Sequence, residues 1–319
     1  MNETLLSIRD LCVDYITDQG PVRAVDGVSL DIRGGEFVGI AGESGCGKST
    51  MAQALIRILP PPAVISRGEA LFEGCNLFSI GEGELRELRW KRISMVFQSA
   101  MDALNPVISV REQITDTLLA HDAANASETR EGAVKLLEMV GIPGDRIDSF
   151  AHQLSGGMRQ RVCIALAMAL EPSLVILDEP TTALDVIVEY AILEEIRQLQ
   201  RRRGFSVLFI THNLARMLQF SDRVAIFYAA KLVEAGPSAE LRRAAKHPYT
   251  QGLLRSFPSV HGGIGELSSI PGSPPSLRTP PTGCRFHPRC SLAVDICREL
   301  SPELVMYGRD HSAACHLAK

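Results

Sequence analysis

The chain has 319 residues, 45% of them apolar and 22% charged, with a net charge of −4. That is ordinary for a globular protein of about two domains, or of one large domain with an appendage. Slight acidity argues against a nucleic-acid binder that works by bulk positive charge, and no apolar run approaches the roughly 18 residues that span a bilayer. The N-terminus, Met1-Asn2-Glu3-Thr4-Leu5, lacks a basic start followed by an apolar stretch. No signal peptide is expected, and the chain should stay in the cytoplasm. The apolar bursts at 6–8, 11–13 and 28–32 read as strands of an antiparallel sheet. Gly34-Gly35 makes a turn, Phe37-Val38-Gly39-Ile40-Ala41 a buried strand, and residues 51–56 a helix. Residues 82–92 and 126–140 look helical, and 158–170 look like a buried helix. The all-apolar runs 174–177 and 207–210 suit a central parallel sheet covered on both faces. Between them, 189–203 is an amphipathic helix with Ile192, Leu193, Ile196 and Leu199 on one side. Residues 224–228 and 231–234 read as later strands. From Ser269 onward, Pro271, Pro274, Pro275, Pro280 and Pro281 suggest an extended linker.

The chemistry is concentrated in Gly42-Glu43-Ser44-Gly45-Cys46-Gly47-Lys48-Ser49-Thr50, the G-x-x-x-x-G-K-S pattern of a phosphate-binding loop. Its flanks supply the strand and the helix that the pattern requires. Gly42, Gly45 and Gly47 let successive N–H groups turn toward an anion, and the helix starting near Lys48 adds its positive end. Lys48 serves the β- and γ-phosphates, and the Ser49 hydroxyl serves Mg²⁺. Asp178 and Glu179 close the apolar run at 174. Asp178 is placed to hold Mg²⁺, directly or through water, and Glu179 to act as general base on the attacking water. Leu154-Ser155-Gly156-Gly157-Met158 opens the helix at 158–170, with Ser155 as its N-cap. Thr211-His212 follows another buried run.

The order and spacing of these four motifs resemble the ATP-binding subunits of ATP-binding-cassette proteins, over about residues 5–235. Two further segments match: Gln98, which in the family links Mg²⁺ and water to the transmembrane partner, and Ala183-Leu184-Asp185, the loop that crosses the dimer interface. Thr182 stands where Ser is common, and Met158 where Gln often follows the two glycines. The resemblance implies an α/β P-loop ATPase core with an antiparallel β subdomain and an α-helical signature subdomain at about 99–170. It also implies a head-to-tail dimer in which ATP on Lys48 is sandwiched by Ser155, Gly156 and Gly157 of the other subunit. His212 would hold the γ-phosphate and Tyr15 would stack on adenine. The loop residues Ser44 and Thr50 complete the nucleotide set. Residues 98–110, including Met101 and Leu104, fall at the groove that receives a helix of the membrane subunit.

Beyond residue 235 the chain carries His247-Pro248-Tyr249 and then Cys284, Cys290, Cys297 and Cys315. This resembles the small Cys-rich C-terminal extension, here 236–319, of ATPases from dipeptide and oligopeptide importers. The intervening gaps of five, six and seventeen residues contain no tight zinc-knuckle pair. Looser spacing fits an iron–sulfur cluster better, and the resemblance implies a [4Fe–4S] cluster; zinc, or no metal, are the alternatives. His287, His311 and His316 read as surface residues before they read as ligands. The implied function is the ATP-hydrolysing motor of a di-/oligopeptide importer on the cytoplasmic face of the membrane. Its implied partners are a second, related ATPase, two permease subunits and an extracytoplasmic substrate-binding protein, with no nucleic acid. A soluble cassette ATPase acting on nucleic acid or ribosomes is the alternative. The single phosphate loop, only about 105 residues before the signature, disfavours it. A kinase or GTPase would leave 154–158 unexplained.

Overall fold

The computed structural model describes residues 3–121, 129–182, 184–256 and 270–318. Strands β1 (Thr4–Thr17) and β2 (Gly20–Arg33) come first, and the separate apolar bursts of the sequence are stretches of these two fourteen-residue strands. A register shift between Arg9 and Cys12, with Asp10 at φ 48°, carries β1 across its polar interruption. Then follow β3 (Phe37–Ala41), helix α1 (Lys48–Leu55), β4 (Ala63–Phe72) and β5 (Cys75–Asn76). Helix α2 (Glu82–Leu88), β6 (Ile93–Val96), α3 (Val110–Leu119), α4 (Thr129–Met139) and α5 (Gly156–Met168) lead to β7 (Leu174–Asp178), α6 (Val186–Arg203) and β8 (Ser206–Ile210). The last third holds α7 (Leu214–Phe220), β9 (Arg223–Tyr228), β10 (Lys231–Pro237), α8 (Ser238–Ala244), α9 (Pro248–Arg255), α10 (Ile296–Glu299), β11 (Val305–Met306) and β12 (Ser312–Ala313). Helix α3 was not expected from the sequence. Of the helix expected at 126–140, residues 126–128 lie outside the described residues.

The chain divides into two compact units: Met1–Glu3, Arg33–Glu36 and Ser79–Ile210 form one, and Thr4–Ile32, Phe37–Phe78 and Thr211–Lys319 the other. In the first, β6, β7 and β8 are parallel with β7 central, and all their residues are buried. That burial on both faces is why the sequence runs are continuously apolar. The helices of this unit have clear starts. Ser109 and Glu112 make a reciprocal capping box for α3. Asp185 caps α6, which ends at Gly204 in the left-handed conformation with Arg201, Arg202 and Arg203 in its last turn.

In the second unit, β2, β1, β4 and β5 make one antiparallel sheet in that order. In the other sheet, β3 runs parallel to β9, β9 pairs antiparallel with β10, β10 with β12, and β12 with β11. The end of the chain therefore returns to the sheet that carries the phosphate loop. Tyr228, Tyr249 and Phe286 meet with ring centroids 4.6–5.4 Å apart in a buried cluster with Leu214, Met217 and Leu241. Within the Pro-rich stretch expected as an extended linker, Ile270 and Leu277 pack against that cluster. Among the described residues, no helix is long and apolar enough to cross a membrane.

Candidate functional site

In the second unit, buried β3 delivers the chain to Gly42. A Cβ there would lie 2.3 Å from the Phe227 carbonyl oxygen. Gly47 sits at φ +104°, and a Cβ would meet the Ala24 carbonyl oxygen at 2.1 Å, so both the backbone sign and the space demand glycine. Gly45, at φ +74°, faces open space. Helix α1 starts at Lys48 with no side chain capping its first N–H groups, an arrangement suited to an anion. Lys48 is buried, and its Nζ donates to the carbonyls of Gly42 (2.9 Å) and Glu43 (3.0 Å). Ser49 and Thr50 are half-buried in the first turn, while Ser44 is exposed. Tyr15, half-buried on β1, has its hydroxyl 3.4 Å from Thr50 Oγ1. His212 is exposed, after a buried Thr211 whose N–H donates to the Ile40 carbonyl.

In the first unit, Asp178 is the buried last residue of β7, opposite Ile210 of β8. Glu179 follows at φ +46°, a conformation that costs a non-glycine residue energy and recurs at functional sites. Its N–H donates to the Ile210 carbonyl at 2.9 Å. Its Oε2 accepts from Gln98 Nε2 at 3.3 Å and from Thr182 Oγ1 at 3.0 Å. Gln98 and Glu179, assigned separate roles from the sequence, thus stand in contact. Thr182, noted only as a departure from a Ser, is a second donor to the same oxygen. Ser155 accepts from the Met158 N–H at 3.3 Å and caps α5, while Asp185 accepts from the Ile187 and Val188 N–H groups, both at 3.0 Å. A Cβ on Gly157 would lie 2.7 Å from Val188, and one on Gly156 3.5 Å from Leu184. The glycines therefore let the signature turn pack closely against the loop ending at Asp185. Ala183 lies outside the described residues. In the stretch 98–110, Leu104 is buried and Met101 half-buried, while Val107, and Phe97 just before the stretch, are exposed large apolar side chains.

The C-terminal cysteines are all free thiols. Cys284, Cys290 and Cys315 are each pushed up in pKa, first by burial and further by neighbouring cysteines, Cys297 among them. Among the described residues, however, no three His, Cys, Asp or Glu side chains stand close enough together to hold a metal ion. Expected as a surface residue, His311 is instead buried, with Nε2 2.8 Å from Glu234 Oε1.

Sequence reasoning missed a contact between this region and the phosphate loop. Arg289 makes a two-point ion pair with Glu43, and the Tyr249 hydroxyl accepts from the Glu43 N–H. No spacing rule could have found it, since 246 residues separate the ion-pair partners.

Residues 25–182 match the family model "ABC transporter", and residues 233–297 match "Oligopeptide/dipeptide transporter, C-terminal region". The chain is 44% identical over 311 residues to the oligopeptide transport ATP-binding protein OppD of Bacillus subtilis, covering 96% of this chain and 87% of that one. It is 40% identical to the dipeptide transport ATP-binding protein DppD of Escherichia coli, covering 98% and 96%. A solved dimeric ATP-binding cassette in a post-hydrolysis state, bound to ADP and Pi, is similar with a TM-score of 0.65 at 27% identity, over 73% of this chain and 98% of that one.

Proposed function

The chain belongs to the ABC transporter family, in the branch that carries the oligopeptide/dipeptide C-terminal region, and on that premise we propose how its residues divide the work. It is the ATP-hydrolysing subunit of a peptide importer, and it acts with membrane permease subunits. One observation carries this: both regions occur in one chain that matches peptide-transport ATP-binding proteins over nearly its whole length.

In our reading, residues 1–235 are the nucleotide-binding domain and 236–319 its extension. Gly42, Ser44, Gly45, Gly47, Lys48 and Thr50 receive the phosphates of ATP, and Tyr15 stacks on adenine. Ser49, Gln98 and Asp178 would hold Mg²⁺, which would offset the charge of the phosphates. Glu179 takes the proton of the attacking water, and His212 orients that water and the γ-phosphate. Ser155, Gly156, Gly157 and Asp185 complete the site of a second ATPase subunit. Likeness to dimeric cassettes supports that arrangement. Closure of the dimer on ATP, and its release on hydrolysis, would drive the permeases. An extracytoplasmic binding protein supplies the peptide, and the ATPase sits at the cytoplasmic face of the membrane. The test is uptake of labelled di-, tri- and pentapeptides by cells carrying the native chain or only Glu179→Gln. Loss of one length class supports the reading; unchanged uptake of all, with no rival importer present, overturns it.

We further propose that Cys284, Cys290, Cys297 and Cys315 would hold a [4Fe–4S] cluster: four soft thiols at this loose spacing suit iron–sulfur better than a zinc knuckle, and since no three of the described ligating side chains stand within metal-binding reach of one another, binding would have to draw them together. A bound cluster would act as a structural staple for a segment with little core of its own. Iron and acid-labile sulfide, assayed in anaerobically purified protein, should disappear in the Cys284→Ser/Cys290→Ser double variant. Zinc, or no metal, in the native protein refutes the cluster.

A further inference from the structure

Glu43, the second residue of the phosphate loop, is held at three points. Its N–H donates to the Tyr249 hydroxyl at 3.0 Å, its carbonyl accepts Lys48 Nζ at 3.0 Å, and its carboxylate takes both arms of the Arg289 guanidinium at 2.7 and 2.9 Å. Arg289 is itself immobilised. Its side chain is 6% exposed, its Nε donates to the Pro271 carbonyl at 2.8 Å, and its Nη1 also donates to the Tyr228 hydroxyl at 3.3 Å. A bidentate guanidinium–carboxylate pair fixes direction as well as distance. Tyr249 is fully buried, which pushes its phenol up and keeps it neutral, and it comes from α9 rather than from the turn at His287–Arg289. Two side chains from separate elements of the extension thus converge on one loop residue.

That residue also positions the lysine. Lys48 Nζ rests on the carbonyls of Gly42 and Glu43, so a shift of the Glu43 backbone moves the ammonium. We propose that Arg289 and Tyr249 are positioning residues of the phosphate loop, through which the C-terminal extension sets the affinity for ATP. A staple that merely fastened the extension would serve at any surface point. This one grips the residue whose carbonyl holds Lys48. The inference rests on the reading of Gly42–Thr50 as the phosphate site.

The experiment uses the full-length chain, titrated with a fluorescent (mant-) ATP and assayed for ATP hydrolysis, with thermal melting measured alongside. Arg289→Gln and Glu43→Gln should each weaken mant-ATP binding about tenfold. KM should rise while kcat holds, and Arg289→Lys should fall between native and Arg289→Gln. The double variant should be no worse than either single one, because both remove the same contact. The charge swap Arg289→Glu/Glu43→Arg should recover most of the lost affinity, and it decides the matter if either single variant folds poorly. Unchanged affinity in Arg289→Gln, additive losses, or a swap that folds and recovers nothing would overturn the proposal. Lys48→Ala serves as the separate check on the phosphate site. If it binds mant-ATP as the native chain does, the loop reading fails and this inference fails with it; if it abolishes binding, the results on Arg289 stand alone.

Discussion

Replacing Glu179 by Gln isolates the chemistry from the architecture. Both neighbours, the Gln98 amide and the Thr182 hydroxyl, donate to Oε2. The glutamine carbonyl oxygen can occupy that position, leaving its amide where Oε1 stood. Neither donor loses a partner, and the strained backbone at φ +46° is unchanged, so stability should move by no more than about 0.5 kcal/mol. What disappears is basicity. A positioned general base is worth about 10²–10⁴-fold, or about 3–5 kcal/mol of barrier. Phosphate release from the assembled transporter at saturating ATP should fall by that factor, while mant-ATP affinity and melting temperature hold. A rate within about threefold of native, with unchanged melting, would refute the assignment of Glu179 as the base.

His247 carries a pH prediction. Burial pushes its pKa down from 6.5 to about 4, so the folded protein refuses a proton that the unfolded chain accepts. Stability should therefore decline as pH falls below about 6.5, the loss growing to about 3 kcal/mol near pH 4. His247→Asn can keep the cap on the Tyr249 N–H without titrating, so its denaturant midpoints should fall less steeply over that range; parallel curves would exclude His247 as the cause. Gly47→Ala should cost about 2–4 kcal/mol and abolish mant-ATP binding, because its Cβ meets the Ala24 carbonyl. Gly45→Ala faces open space and should cost only about 1 kcal/mol; equal melting temperatures for the two would contradict the geometry. Ser155→Ala removes the cap of α5 and should cost about 1 kcal/mol in chemical denaturation, whereas an unchanged midpoint would mean that the cap contributes nothing in solution.

What could be read from the sequence was local. The strand–loop–helix around Lys48, the Ser155 cap and the buried strand ending at Asp178 are each written within about ten consecutive residues, where periodicity and capping chemistry operate. Glu179 could be placed from the apolar run before it, whereas Gln98 was recoverable only through likeness to a family, and their contact spans 81 residues. What escaped the sequence shares one cause, which is that long-range packing overrides composition. Prolines after residue 270 suggest an extended linker but carry no sign that Ile270 and Leu277 find a hydrophobic cluster. His311 looked like a surface residue until Glu234, 77 residues earlier, gave it a buried partner. Two-residue strands such as Ser312–Ala313 are too short to show any alternation.

The return of the chain to the sheet also bears on solubility. Without β12, the seven-residue β10 would lie at a border, offering unpaired amides and carbonyls beside Leu232, Val233 and Ala235 to any other extended chain. With it, Glu234 and Ala235 are paired to Ala313 and Ser312, and Glu234 is locked by His311 and by the N–H groups of Lys246 and His247. The border passes to β11, two residues long and too short to template another strand. The tail thus shortens the border of this sheet from seven residues to two, and with it the length of backbone open to another extended chain.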